Sequence, residues 1–383
     1  GGARVGAVRL AQAGDGRGCA LFARRAFCAG EVVAAVPRGL CLATPLPAGA
    51  SGAEDIADAA LLASPAGREA AAALATTLVR AWNACPGSHL SPYLELLPAC
   101  SAMHALVTTW PSELLAWSPT LLLEYGHFRR DASSCMSLMS LPEALGSFDE
   151  RMRRWGLCSV LCRSFALTPT SISSCQPVLA MVPLLDMLNH WVPSSRWSRP
   201  WSCEYAACSD HVTLIAVRDI EEDEELTLLY SASSEARLLC RYGIPPAPEA
   251  AGAGLFAEAA FTLSLASSAV AFRVPRDAWP RGALHAAARA MVSEGAGRAS
   301  RRQRRRAPGL VRRWLRDAVA AVRAPNPKRV SSPLAASAAR VANRERAVLE
   351  RALRQWAFPA SLARRCGAGQ GARLGGRVHR TNC

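Results

Sequence analysis

Lysine is nearly missing from this chain: of 45 basic residues, Lys328 alone is not arginine. A bias of that kind reflects coding composition, and no function is read from it. Also missing is any run of about eighteen uncharged apolar residues, the length a membrane-crossing helix needs, so no membrane span is expected. The N-terminus has no basic segment leading into an apolar stretch, and no secretory signal is expected from it. The sequence opens on Gly1 rather than Met, which leaves room for a trimmed targeting segment. Fourteen cysteines are scattered along it, and the closest pairs, Cys158/Cys162 and Cys203/Cys208, lack the second pair of a zinc ribbon. Reduced, mostly buried thiols and no metal are therefore expected, in an intracellular protein. The cytoplasm is the expected compartment, with nucleus or plastid open if a targeting segment was removed. No Ser/His/Asp arrangement is evident.

What is present points to a globular protein with two unlike parts. At 383 residues the chain exceeds an average domain, and half of it is hydrophobic, enough for a sizeable core. The net charge of +15 is uneven: after residue 245 there are 26 Arg and Lys against 7 Asp and Glu, which leaves the first 245 residues slightly acidic. Site chemistry and basic surface thus belong to different parts.

Residues 7 to 38 read as short strands about the glycine turn Gly14-Asp15-Gly16-Arg17-Gly18, with a second turn at Gly30-Glu31 and a stop at Pro37. Residues 44 to 66, rich in Ala, Pro and Ser, read as loop or weak helix. From 67 to 83 the spacing is helical, with Leu74, Leu78, Val79 and Trp82 on one face. Helical patterns continue to about residue 165, interrupted by Pro98 and Pro111. Strand signals return at 178–183, 212–217 and 226–230. A strand-rich part is therefore split by a helical insertion of about one hundred residues. Beyond Pro245 and Pro246 two amphipathic stripes follow: Val311, Trp314, Leu315, Ala318 and Val322, then Val341, Val348, Leu349, Ala352 and Trp356. Residues 367–383, rich in Gly and Arg, read as disordered, and there is no internal repeat.

Three polar clusters stand out, each with an ordinary explanation. The glycine cluster is no dinucleotide fingerprint, because Cys19-Ala20-Leu21 follows Gly18 where a third glycine would stand; by itself it is a turn. Asp186-Met187-Leu188-Asn189-His190 closes an apolar run, where buried polar groups need partners; alone it is a strand-to-turn cap. Tyr230 ends the strand after the acidic run Glu221-Glu222-Asp223-Glu224-Glu225, where packing and a solvated turn would suffice.

Their order and spacing carry more. Gly16-Arg17-Gly18, with Leu21 to Arg25 and Gly30-Glu31-Val32-Val33, resembles the opening segment of SET-domain protein methyltransferases. Ser88 to Pro98, containing Pro92-Tyr93-Leu94, resembles a segment of the helical insertion of one subfamily, typified by the Rubisco large-subunit lysine methyltransferase. Trp155 with Cys162-Arg163-Ser164-Phe165 resembles that group's return to the SET core. Asp186 to His190 matches its DMxNH motif, Ala216 to Ile220 leading to Tyr230 resembles its "a.rdi…GEe…i.YG", and Ser234 to Ile244 its "sNaeLL.rYGF". The likeness spans residues 14 to 244. Ser231 stands where the group has Gly, Glu222-Asp223-Glu224 replaces its Gly-Glu-Glu turn, and the tract Trp191 to Trp201 has no counterpart.

The resemblance implies an α+β fold: a SET β-fold over 1–245 with a helical insertion at about 45–155, an all-helical substrate-binding-like lobe over 246–366, and a tail at 367–383. It implies methyl transfer from S-adenosyl-L-methionine to a side-chain nitrogen of a protein, lysine rather than histidine, because Ser164 stands where the actin-histidine methyltransferase has Asn. The backbone of Gly16, Arg17 and Gly18 and the side chain of Arg163 would hold the methionine end of the cofactor. Asn189 and His190, with Asp186 in the same motif, would fix it by polar contacts, and Tyr242 would supply an aromatic wall. Tyr230 would be the catalytic residue. Two alternatives stay open: an inactive SET-domain binding protein, and a histidine N-methyltransferase. The expected partner is a protein substrate with an acidic surface, met by a monomer. The run Arg301 to Arg306, without interleaved aromatics, leaves nucleic acid as an accessory partner only.

Overall fold

The computed structural model describes residues 7–13, 18–46, 62, 64–84, 88–98, 110–139, 150–167, 176–192, 200–230, 234–246, 258–264, 269–275, 301–323, 325, 330 and 332–357. Val8–Gln12 (β1) and Cys19–Ala23 (β2) pair antiparallel, with Leu10 opposite Leu21. Val32–Pro37 (β3) pairs with His211–Ala216 (β9), whose other edge carries Cys203–Ala207 (β8). In β9 the residues Val212, Leu214 and Ala216 are buried and alternate with partly exposed ones, the period-two pattern of a strand with one face on the core. A third sheet joins Leu42–Pro45 (β4), Val178–Met181 (β6) and Ser164–Leu167 (β5) in that order. Strands on either side of the insertion, β4 and β5, thus pair with the same neighbour, so the insertion interrupts a sheet without breaking it. Finally Asn189–His190 (β7) and Thr227–Leu228 (β10) form a short parallel pair.

The insertion holds Pro65–Asn83 (α1), Ser91–Leu94 (α2), Ser112–Leu115 (α3), Pro119–Leu138 (α4) and Glu150–Arg163 (α5). Both long helices begin in the same way. The hydroxyls of Ser64 and Ser118 accept from Gly67 N and Leu121 N at 3.0 Å, and Pro65 and Pro119 take the first helical position, where a missing N–H costs nothing. The expected face of α1 is the buried one, with Leu74, Leu78 and Val79 inaccessible to solvent. It packs on α5 so closely that a Cβ on Gly156 would lie 2.5 Å from Val79 Cγ2. Trp82 and Trp155 close the same seam, rings 4.9 Å apart.

After Glu235–Tyr242 (α6) the chain forms the antiparallel hairpin Glu258–Ser264 (β11) and Ala269–Pro275 (β12), then Arg301–Ala321 (α7) and Pro333–Ala357 (α8). The hairpin corrects the expectation of an all-helical lobe. Its sequence alternates apolar and small or polar residues, Val270-Ala271-Phe272-Arg273-Val274, a period-two signal that the surrounding Ala/Arg-rich composition hides. The two stripes are as expected: Val311, Leu315, Ala318 and Val322 are buried against Val348, Leu349 and Ala352. The N-terminal half of α8 does something else. Ala335, Ala338 and Val341 share a core with Leu115, Leu121 and Tyr125 of the insertion and with Leu239 of α6. Buried Glu345 accepts from the hydroxyls of Ser118 and Thr120, and Arg344 pairs with Glu235, so α8 is bound to the rest by polar as well as apolar contacts. The basic run at 301–306 has helical backbone. Among the described residues no helix is long and apolar enough to cross a membrane.

Candidate active site at the junction of two short parallel strands

Between β6 and β7 the chain makes a tight 3-10 turn, Leu185–Met187, preceded by Leu184 at φ +75°. A bulky residue with positive φ costs on the order of 1–3 kcal/mol and persists where its surroundings over-determine it. Here the buried side chains of Leu185, Met187 and Leu188 hold the turn from the core side.

The turn carries Asp186, whose carboxylate is buried. Its Oδ2 accepts from the Tyr93 hydroxyl at 2.7 Å and lies 4.0 Å from Arg163 Nη1, which itself donates to the Asp186 carbonyl at 2.7 Å. Its Oδ1 is buried with no hydrogen-bond partner among the described residues. Burial pushes the carboxyl up to about 6, against the downward pull of the Arg163 charge and the Tyr93 hydroxyl. Arg163 reaches this point because it is the last residue of α5, where the helix runs straight into β5.

Asn189 and His190 lie beside Thr227 and Leu228 of β10. Asn189 Nδ2 donates to Glu225 Oε1 at 2.9 Å. His190 is buried, and its Nδ1 accepts from the backbone N–H of Tyr230 at 3.0 Å. In the neutral ring the proton then belongs on Nε2. The Tyr230 hydroxyl donates to the Leu188 carbonyl. Burial raises the phenol well above its ordinary value, with Arg163 opposing, so it is neutral at physiological pH. Its ring lies 5.3 Å from His190 and 5.4 Å from Tyr242, the last residue of α6.

The hairpin of β1 and β2 reaches the same place. Leu226 N donates to Leu21 O at 2.8 Å, Ala23 N to Glu224 O at 2.9 Å, and Phe22 bridges Glu225. The end of the glycine segment is seen in Gly18, at φ +84° with open space around it, so the left-handed backbone and not crowding is what calls for glycine there. The acidic turn is only partly solvated. Glu224 is buried, paired with Arg218 and accepting from Glu221 N at 3.0 Å, while Asp223 takes φ +61° and accepts from Arg9 at 2.8 Å. Asp is among the few residues that tolerate that conformation.

Six of the expected site residues therefore come together: Arg163, Asp186, Asn189, His190, Tyr230 and Tyr242. Gly18 is linked to them through β2. Gly16, Arg17 and Ser231 lie outside the described residues, as do 193–199 of the Trp/Arg tract; its ends, Trp191 and Trp201, meet edge-on at 6.1 Å. Sequence reasoning missed the roles of Tyr93 and Glu225. Tyr93 stands in the Pro92-Tyr93-Leu94 segment, yet nothing local marks it as the partner of a carboxylate 93 positions away. Among the described residues no group of three or more His, Cys, Asp or Glu is gathered for a metal ion.

Chemically, the junction combines a guanidinium, a buried carboxyl, an amide, a neutral imidazole and a neutral phenol. The phenol has spent its one proton on a backbone carbonyl, so its remaining lone pairs can only accept.

No family model and no curated protein matches the chain. Solved structures do. The SET domain of LSMT bound to lysine and AdoHcy is 16% identical at a TM-score of 0.62, over 92% of this chain and 87% of that one. Rubisco LSMT bound to sinefungin and monomethyllysine matches at 16% identity and a TM-score of 0.61, over 91% and 86%. Rubisco LSMT bound to AdoMet matches at 16% and 0.59, over 96% and 93%. At that identity the likeness concerns the fold, and the α+β fold of this chain is that of those SET domains.

Proposed function

We propose that this protein transfers a methyl group from S-adenosyl-L-methionine to a side-chain nitrogen of a protein, with lysine as the acceptor. One observation carries the reading: the partly buried, neutral Tyr230 phenol, turned by Leu188 so that it can only accept a hydrogen bond, beside the Arg163–Asp186 pair. That is what an incoming neutral amine requires. Its N–H donates to the phenol oxygen, and its lone pair is left free to point at an electrophilic carbon.

The residues present suit the cofactor. Arg163 is placed to meet a carboxylate, the Asn189 amide is oriented by Glu225 so that its oxygen can accept, and Gly18 leaves backbone open to close approach. The buried, unpartnered Oδ1 of Asp186 is an acceptor awaiting a donor. When bound, the cofactor supplies a sulfonium methyl, an electrophile that needs neither metal nor covalent enzyme intermediate. The protein's part is alignment, exclusion of water and removal of nearby competing charge. His190 holds the Tyr230 backbone, and Tyr242 walls one side of the ring. Because the acceptor amine must lose its proton first, and lysine ordinarily does so near pH 10.4, turnover should rise towards alkaline pH.

Ser164, in the position where a histidine-methylating relative carries Asn, favours lysine. The fold likeness to structures that hold lysine and AdoHcy supports the same choice. The strongly basic segment after residue 245 favours an acidic protein surface as the docking partner. The test is incubation of the purified chain with radiolabelled cofactor and cell extract, followed by identification of the labelled residue. Label on lysine supports the reading, label on histidine replaces the acceptor, and no label with intact cofactor binding favours an inactive SET-domain binder.

A further inference from the structure

Arg163 and the Tyr230 hydroxyl are held by two carbonyls of one short stretch of backbone. Arg163 Nη1 donates to the Asp186 carbonyl at 2.7 Å, and the Tyr230 hydroxyl donates to the Leu188 carbonyl. Both carbonyls belong to the 3-10 turn Leu185–Met187 and the residue that caps it, with Leu184 ahead of them at φ +75°. A strained turn keeps its shape only while its surroundings over-determine it. Whatever fixes this turn therefore aims both side chains.

Tyr93 supplies part of that fixation from outside the β-fold. Its ring is buried in the main core with Leu94 and Leu97, and its hydroxyl donates to Asp186 Oδ2 at 2.7 Å. Burial keeps the phenol neutral, so it stays a donor. A donor on a carboxylate makes a charge-assisted bond, stronger than one between neutral groups. The segment that carries Tyr93 is anchored in turn, because Trp155 Nε1 donates to the Pro98 carbonyl at 2.9 Å. Trp155 and Arg163 both belong to α5. Three hydrogen bonds thus close a ring. Tyr93 joins α2 to the turn, Arg163 joins the turn to the end of α5, and Trp155 joins α5 back to the segment after α2. Side-chain networks of this kind hold more tightly than their members taken singly.

We propose that Tyr93 is a positioning residue for methyl transfer, acting through Asp186 to set the Arg163 guanidinium, a role that rests on the methyl-transfer reading. The ring serves packing and the hydroxyl serves aim. Without the hydroxyl, Asp186 Oδ2 loses its donor, while Oδ1 already has none among the described residues. A buried carboxylate stripped in this way is costly and draws in whatever donor is near. Arg163 Nη1, 4.0 Å from Oδ2, is close enough to take the vacated place. The guanidinium then turns from the Asp186 carbonyl towards the carboxylate, and away from the position in which it would meet the carboxylate of the cofactor. The turn, relieved of one anchor, also holds the Leu188 carbonyl and the Tyr230 phenol less firmly.

The probe is S-adenosyl-L-homocysteine, which has no methyl to transfer, titrated calorimetrically into the full chain at a pH well above the Asp186 pKa of about 6. Tyr93→Phe should weaken binding roughly three- to tenfold, about the worth of one hydrogen bond. In an Arg163→Gln background the same change should cost little further, because the residue through which it acts is gone. Ser118→Ala is the control for stability alone. It removes the N-cap of α4 without touching the turn, and should lower Tm at native affinity. The same result for Tyr93→Phe, a lower Tm with native affinity, would make Tyr93 structural and overturn the proposal, as would full additivity with Arg163→Gln. If Tyr93→Phe does not fold, Trp155→Phe takes its place. It keeps an aromatic ring, cuts the third bond of the ring, and should weaken binding in the same direction. A native chain that does not bind the probe removes the methyl-transfer reading and the positioning role together. A native chain that binds it no better than Tyr93→Phe removes the role alone.

Discussion

The Tyr93 hydroxyl donates to the Asp186 carboxylate at 2.7 Å and ties the helical insertion to the turn that carries the candidate active site. The insertion is thereby part of the site's framework and not an appendage to it.

The burial of that carboxyl, which the bond only partly offsets, makes stability depend on pH. Asp186 titrates at about 6 in the folded chain because of its burial. Unfolded, an aspartate titrates near pH 3.9. Between those values the native state binds the extra proton, so stability is present below the unfolded pKa and falls as pH rises through the window. A shift of two units is worth on the order of 3 kcal/mol. Urea unfolding across the window should show this loss in the native sequence and not in Asp186→Asn; equal slopes would refute it. Tyr93→Phe removes a group that pulls the pKa down, and should extend the falling limb to higher pH.

Tyr230→Phe deletes the one hydroxyl that fixes the phenol on Leu188. Turnover should fall roughly ten- to a thousand-fold, the range for losing one positioned polar group. Cofactor affinity should hardly change. Leaving the Leu188 carbonyl unpaired should cost about 1–3 kcal/mol of stability, visible as a lower Tm. Turnover at the native rate on an identified substrate would remove Tyr230 from the mechanism.

Asn189→Ala should weaken S-adenosyl-L-methionine binding by about 1–3 kcal/mol, because the amide and its Glu225 partner both lose a bond near the ligand. Calorimetry reads this directly. An unchanged affinity would make Asn189 a structural residue of the β7–β10 pair.

Gly156→Ala tests the framework far from the chemistry. The added methyl would meet Val79 Cγ2 at 2.5 Å and the Ala75 carbonyl at 3.1 Å, so α1 and α5 must separate or distort. Overpacking of this kind costs about 1–3 kcal/mol. A chemical-denaturation midpoint equal to that of the native sequence would mean the seam is looser than its geometry.

The basic C-terminal segment should act through long-range charge. If it docks an acidic protein, KM for that substrate should rise steeply with salt while cofactor affinity stays constant. Truncation at Pro246 is the wrong test, because it strips Ala335, Ala338 and Val341 from a core they share with Leu121 and Leu239. Such a chain should precipitate rather than report on docking.

The sequence by itself determined the α+β class, the helical run between the strand-rich segments, the inward faces of α1, α7 and α8, and the nearness of several polar groups of the candidate site. These are local facts. Helical and strand periodicity repeat within a few residues, and Asp186, Asn189 and His190 are neighbours along the chain, so any fold that buries one end of that segment gathers them. Only the tertiary structure decided that Tyr93 completes Asp186, that Glu225 orients Asn189, that Leu188 turns the Tyr230 hydroxyl, and that α8 shares its core with the insertion. It alone brought Arg68, Arg130, Arg237 and Arg241 from three helices to line one cavity. Each of these joins residues whose separation in sequence bears no relation to any helical or strand period. The hydrogen bonds and charges involved have no pattern to read until the chain has closed on itself. The hairpin of β11 and β12 lies between the two cases: its period-two signal was there in the sequence, but composition spoke louder than alternation.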